Sequence, residues 1–171
     1  PDGKEGVAIK NAADLDRALA GVILEAAPVS LEAGVSAERS AMLLRDKLKG
    51  VANAGTSFGL DPLGTQLRTG ADQSEAALAA YLFAARTARD LPNARYLRVD
   101  PRIVHEAGGS EAQEIAYALH CGIAYLRGLE TRALNIDDSA NALSFAVSVG
   151  PDALIEAAKL SNTIVATADS T

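Results

Sequence analysis

His105 and Glu106 stand just ahead of Gly108, Gly109 and Ser110 in the run RIVHEAGGSEAQEIAYAL, where a turn leads into a long apolar-periodic stretch. A histidine in that place could serve as a general acid near neutral pH, because its unperturbed pKa is about 6.5. The more economical reading is that His105 bonds a loop carbonyl and Glu106 fixes the turn, since no nucleophile or second base lies nearby in the chain and function must be argued from a site. Gly108 and Gly109 before a helix amino terminus could hold a phosphate on free amides. A turn requiring positive φ, followed by a Ser110 cap, explains the same residues without a ligand. No Walker-type lysine and no GxGxxG run supports the phosphate alternative.

Spacing predicts no metal site. His105-Glu106 lacks the second histidine of an HExxH helix, and His120 beside Cys121 cannot point both side chains in one direction. Cys121 falls on a helical stripe with Tyr117 and Tyr125, which reads as a packed face and not as a redox centre. Asp61 in SFGLDPLG is expected to cap the turn after a strand, with Pro62 and Gly64 as turn formers. Arg68 is the cation considered for a ligand phosphate, with a solvated surface arginine as the alternative.

These residues need a scaffold. The chain has 171 residues, 49% of them hydrophobic, enough for one domain with its own core. Acidic residues outnumber basic ones by 22 to 16, with no run of five like charges, which argues against nucleic acid or an anionic membrane surface as partner. Cys121 is the only cysteine, so an internal disulfide is excluded and a reducing cytoplasm suits the composition. No segment holds the ~18 uninterrupted apolar residues of a membrane helix, so a soluble protein is expected.

Short β-favouring runs alternate with alanine- and leucine-rich segments, the pattern of βαβ units around a parallel sheet. Strands are predicted at residues 6–10, 28–33, 56–60, 96–100 and 144–149, and helices at 11–20, 36–48 and 72–91. A further helix starts at Ser110, whose spacing to Gln113 is that of a capping box. Ile115, Leu119, Ile123 and Leu126 are expected to face the core, with Glu111, Glu114, Arg127 and Glu130 in water. A last helix opens at Pro151 and runs through Ala158. The α/β pattern fits a small open sheet or part of a closed barrel, which typically takes about 250 residues.

Read in order, GVAIK, PVSLEAG, SFGLDPLG, VHEAGGSEAQEIAYALHCGIAYLRGLE, IDD with SFAVSVG, and IEAAKL resemble the barrel domain of methylmalonyl-CoA mutases. The resemblance covers residues 6–160 and implies parallel (β/α) units of a TIM-type barrel, partial or shortened, with a frayed tail at 161–171 and no cobalamin-binding domain. For the family it implies radical interconversion of methylmalonyl-CoA and succinyl-CoA, with a coenzyme A ester threaded through the barrel and adenosylcobalamin held by a separate domain. The resemblance also implies a Tyr-His pair contacting substrate and corrin, and that pair falls here on Arg102 and Ile103. A glutamine of the catalytic pattern falls on Gly59, and an Arg-Ala-Ala-Arg run on Ser161, Asn162, Thr163 and Ile164. No Asp-x-His-x-x-Gly cobalamin-ligating motif occurs in the 171 residues.

By this resemblance the chain is most similar to the small, non-catalytic subunit of the two-subunit bacterial enzyme. The expectation is a cytoplasmic chain with no catalytic or cofactor-binding residue of its own, partnered as a heterodimer with a catalytic mutase subunit that holds the adenosylcobalamin. An active acyl-CoA mutase using a cobalamin domain in trans, and a coenzyme A-binding module without turnover, are the alternatives.

Overall fold

Val29–Ser30 (β1), Thr56–Leu60 (β2), Arg95–Val99 (β3) and Leu143–Phe145 (β4) pair in parallel, and their order across the sheet is their order along the chain. They belong to a computed structural model that describes residues 6–51, 54–132, 134–148 and 150, with the isolated positions 154, 157 and 158. Each connection steps the same way, and right-handed crossovers then put the helices on one face. Ala12–Ala18 (α1) precedes β1; Ala37–Lys47 (α2) follows a 3-10 turn at Gly34–Ser36 and packs on β2. Pro62–Thr69 (α3) and Ser74–Thr87 (α4) lie between β2 and β3, and Arg102–Glu106 (α5), Glu111–Glu130 (α6) and Ile136–Asn141 (α7) between β3 and β4.

The core is one-sided. Along β2, Thr56, Phe58 and Leu60 are buried while Ser57 and Gly59 are only half-buried, the period of a strand with one covered face. Phe58 stacks on Tyr96 with centroids 5.3 Å apart and meets Phe83 of α4 edge-on at 5.0 Å, so aromatic packing joins β2, β3 and α4. The opposite face is polar, with Ser57 and Ser144 hydroxyls 3.5 Å apart and Arg98 beside them on β3. Parallel sheets are ordinarily covered on both faces. Four successive strands, with helices outside and polar side chains inside, form a partial TIM-type (β/α) unit, without closure among the described residues.

Several local expectations change. Residues 6–10 form no strand; Val7 is 74% exposed, and β1 already occupies the sheet edge, so β-propensity finds no partner there. Instead Asn11 caps α1, its side chain accepting from the Asp14 amide. The helices expected at 11–20, 36–48 and 72–91 are present and shorter, and the strand expected at 144–149 is confined to Leu143–Phe145. Val149, most of the helix expected from Pro151, and the tail 161–171 lie outside the described residues.

Three short helices were not expected. Pro62 sits at the first position of α3 and Asp61 is its cap, so the proline and glycine read as turn formers in fact open a helix. On α6 the buried face is Glu114, Ala118, Cys121, Gly122, Tyr125, Leu126 and Leu129. Glu114, expected in water, is fully buried, while Ile115, Leu119 and Ile123 are only half-buried. The helix presents its tyrosine and cysteine stripe inward, which brings the Tyr125 hydroxyl to the end of β2.

Gly59 sits at a register irregularity between β2 and β3 with φ +63, and a Cβ there would meet the Leu31 carbonyl oxygen at 2.0 Å. Both the left-handed backbone and the clash oppose any side chain. Gly59→Ala is expected to destabilise the chain by about 2 kcal/mol or more, with Gly59→Gln at least as costly; urea unfolding followed by circular dichroism measures this.

Candidate functional site

The carboxyl ends of the strands, where α/β proteins place their chemistry, carry a dense set of charges. Asp61 follows β2 and is 8% exposed. Its Oδ1 accepts from the Tyr125 hydroxyl at 2.7 Å and from the Gly64 amide at 2.9 Å, while Oδ2 accepts from Arg68 at 3.3 Å. The Tyr125 hydroxyl in turn accepts from the Leu63 amide at 3.0 Å. Burial pushes the Asp61 carboxyl above its ordinary pKa, and the bonds from Tyr125 and Gly64 and the charge of Arg68 offset this only in part.

Beside it, Arg102 grips Asp100 with two hydrogen bonds of 2.7 Å, from Nε and from Nη2. Arg98 reaches Glu32 at 2.6 Å and Asp100 at 3.8 Å. Burial alone would raise the Asp100 carboxyl, but the Arg102 bonds and the charges of Arg102, Arg98 and Arg68 outweigh it, and the net shift is downward. A cleft of about 220 Å³ opens here, lined by Gly59, Asp61, Arg68, Arg98, Asp100 and Arg102. Its three arginines all have carboxylate partners, so an entering anion must displace an existing pair. Arg68, the cation considered for a phosphate, is one of these. A larger cavity of about 700 Å³ lies at the amino ends of β3 and β4, where Arg86, Arg89 and Arg132 stand exposed without convergent acid or nucleophile.

His105 and Glu106 belong to α5, not to a loop. Neighbours on a helix point about 100° apart, and His105 turns toward the start of α6 while Glu106 stays exposed. His105 Nδ1 lies 3.7 Å from Glu111 Oε1 and 3.6 Å from Glu114 Oε2. Spacing had grouped His105 with Glu106; the helix start groups it with two glutamates that had been assigned to water. The Gly-Gly amides are engaged, Gly108 to the His105 carbonyl and Gly109 to the Val104 carbonyl at 2.8 Å, and the Ser110 amide donates to Gln113 Oε1. The capping box is complete, so the turn reading holds over the phosphate one. Cys121 is buried and its thiol pushed up to about 11 by that burial, the opposite of a reactive thiolate.

Ile103 is half-buried and apolar, next to Arg102 with its guanidinium held on Asp100. The family model for methylmalonyl-CoA mutase matches residues 2–163. The chain belongs to the methylmalonyl-CoA mutase family. It is 37% identical over 150 residues, 85% of its length, to a methylmalonyl-CoA mutase small subunit from Streptomyces virginiae, and covers 24% of that protein. It is 26% identical, again over 85% of its length, to the small subunit from Propionibacterium freudenreichii subsp. shermanii, covering 23% of it. The large subunit from the same organism matches at 34% over 76 residues, 44% of the chain and 10% of that protein. The chain thus spans about a quarter of the length of these small-subunit relatives.

Two outcomes follow for this mutase-family site. Tyr125→Phe removes a donor from the buried Asp61 and the acceptor of the Leu63 amide, and should cost about 1–3 kcal/mol in thermal or urea unfolding. For Asp100 the folded pKa lies below the unfolded value of about 3.9, so its stabilising contribution is present above that value and fades as pH falls toward the folded one. Asp100→Asn should therefore flatten the acid limb of the stability curve. Asp61→Asn should act oppositely: the raised Asp61 favours the fold below the ordinary pKa and loses that contribution as pH rises, and the variant removes this decline.

Proposed function

We propose that the chain is part of a small, non-catalytic subunit of a cytoplasmic, adenosylcobalamin-dependent methylmalonyl-CoA mutase. In this reading it supports, as one half of a heterodimer, the catalytic chain that interconverts methylmalonyl-CoA and succinyl-CoA. The observation that carries the reading is at Arg102 and Ile103, where the family resemblance places the Tyr-His pair. Arg102 has two of its donors committed to Asp100, and Ile103 has no polar atom to offer.

Gly59 supports the same reading. The glutamine of the catalytic pattern has no room there, because a Cβ would lie 2.0 Å from the Leu31 carbonyl oxygen. The relatives named small subunit align with 85% of the chain, against 44% for the large subunit. Cobalamin does not fit these residues: a corrin rimmed with amides needs hydrogen-bonding partners, and Ile103 beside a committed guanidinium supplies none. In the proposed complex the cofactor and substrate belong to the catalytic chain.

The test is co-expression with a large mutase subunit. The expected outcome is co-elution of the two, with isomerisation present in the pair and absent from this chain supplied with adenosylcobalamin, methylmalonyl-CoA and a free cobalamin domain. Turnover by this chain under those conditions overturns the proposal in favour of an active mutase, and tight coenzyme A-ester binding without turnover overturns it in favour of a binding module.

A further inference from the structure

The grouping of His105, Glu111 and Glu114 serves none of the functions described above. One imidazole nitrogen and two carboxylate oxygens from these residues lie within 4.8 Å of one another. The His105 Nδ1 separations of 3.6 and 3.7 Å exceed the ~2.7–3.2 Å of a nitrogen-to-oxygen hydrogen bond. They match the edges of a coordination polyhedron: metal-to-ligand distances of about 2.0–2.2 Å give tetrahedral edges of roughly 3.3–3.6 Å.

Burial and charge point the same way. Glu114 is 0% exposed, and its Oε1 is fixed by the Ser148 amide at 2.8 Å, which leaves Oε2 as the oxygen near His105. Buried carboxylates are ordinarily paired with a cation or coordinate a metal. The side chains of His105 and Glu111 are 42% and 36% exposed, so an ion can enter from water and keep a position open to it. A neutral imidazole and two carboxylates carry the charge that a divalent cation neutralises. The three come from the end of α5 and the first turn of α6, held by the Gly108-Gly109 turn and the Ser110-Gln113 capping box.

We propose that His105, Glu111 and Glu114 form a tetrahedral site for a divalent first-row cation of the zinc class, with the fourth position open to water. Such an ion ties the α5-to-α6 turn to the segment after β4 through Glu114 and Ser148. Its role is structural, and it is independent of the subunit assignment.

The chain contains two histidines, which makes the test clean. The purified chain is titrated with Co2+, whose tetrahedral complexes absorb visible light far more strongly than its octahedral ones, and then with Zn2+ in competition. The expected result is a saturable tetrahedral spectrum at one ion per chain, displaced by Zn2+, and a Zn2+-dependent rise in Tm. His105→Ala and Glu111→Gln, both at partly exposed positions, should each lower affinity by roughly tenfold or more, while His120→Ala leaves it unchanged. Absence of one-to-one binding, an octahedral-type spectrum only, or unchanged affinity in His105→Ala overturns the proposal and leaves the three residues as an ordinary ion-pair cluster.

Discussion

A carboxylate almost without water stands at the exit of β2, and three parts of the chain are arranged to keep it satisfied. Asp61 caps α3 through the Gly64 amide, accepts the Tyr125 hydroxyl from α6, and faces Arg68 on the outer turn of α3. Gly64 is glycine for the same reason, since a Cβ there would lie 1.9 Å from Asp61 Oδ2. Leaving a buried charge without such partners costs several kcal/mol. The strand end, the helix that follows it and the long helix sixty-four residues on are therefore fixed together by one side chain. The rotation of α6 that turns Tyr125 inward also sets where Glu114 and Cys121 point.

That constraint shapes the sheet's working edge. With its arginines and carboxylates matched to one another, the edge is well built for holding the wall of a barrel. It is poorly built for receiving an anion, because binding would begin by breaking a pair that is partly desolvated. Gly59 reinforces this at the level of the backbone, where the strand passes so close to Leu31 that a side chain has no place to start. The polar face of the sheet and the aromatic face under α4 are thus unequal in what they do: one holds the wall together, and the other is where a barrel would have its interior.

Much of this was readable from local signals. The strands at 56–60 and 96–100, the Ser110-Gln113 cap and the capping role of Asp61 follow from residue types within a few positions of each other, and the structure bears them out. The errors have a common cause. Glu114 was placed in water because an acid on a helix usually is, and only the Ser148 amide thirty-four residues away makes its burial tolerable. GVAIK has the composition of a strand but no neighbour to pair with. The partnership of His105 with Glu111 and Glu114 was hidden because α5, five residues long, is too short to announce itself by periodicity.

A sheet made only of parallel neighbours has no hairpin from which to grow. The Thr56 hydroxyl meets the Val29 carbonyl across 27 residues, and Ser144 meets Leu97 across 47. Each ladder closes a loop whose entropy opposes it before the contacts reward it. The helices therefore form faster than the wall they cover, and β4, three residues long and reached across the widest gap, docks late. Until it docks, the flank of β3 carries an unsatisfied row of amides and carbonyls, the segment by which a half-folded chain would stick to its neighbours.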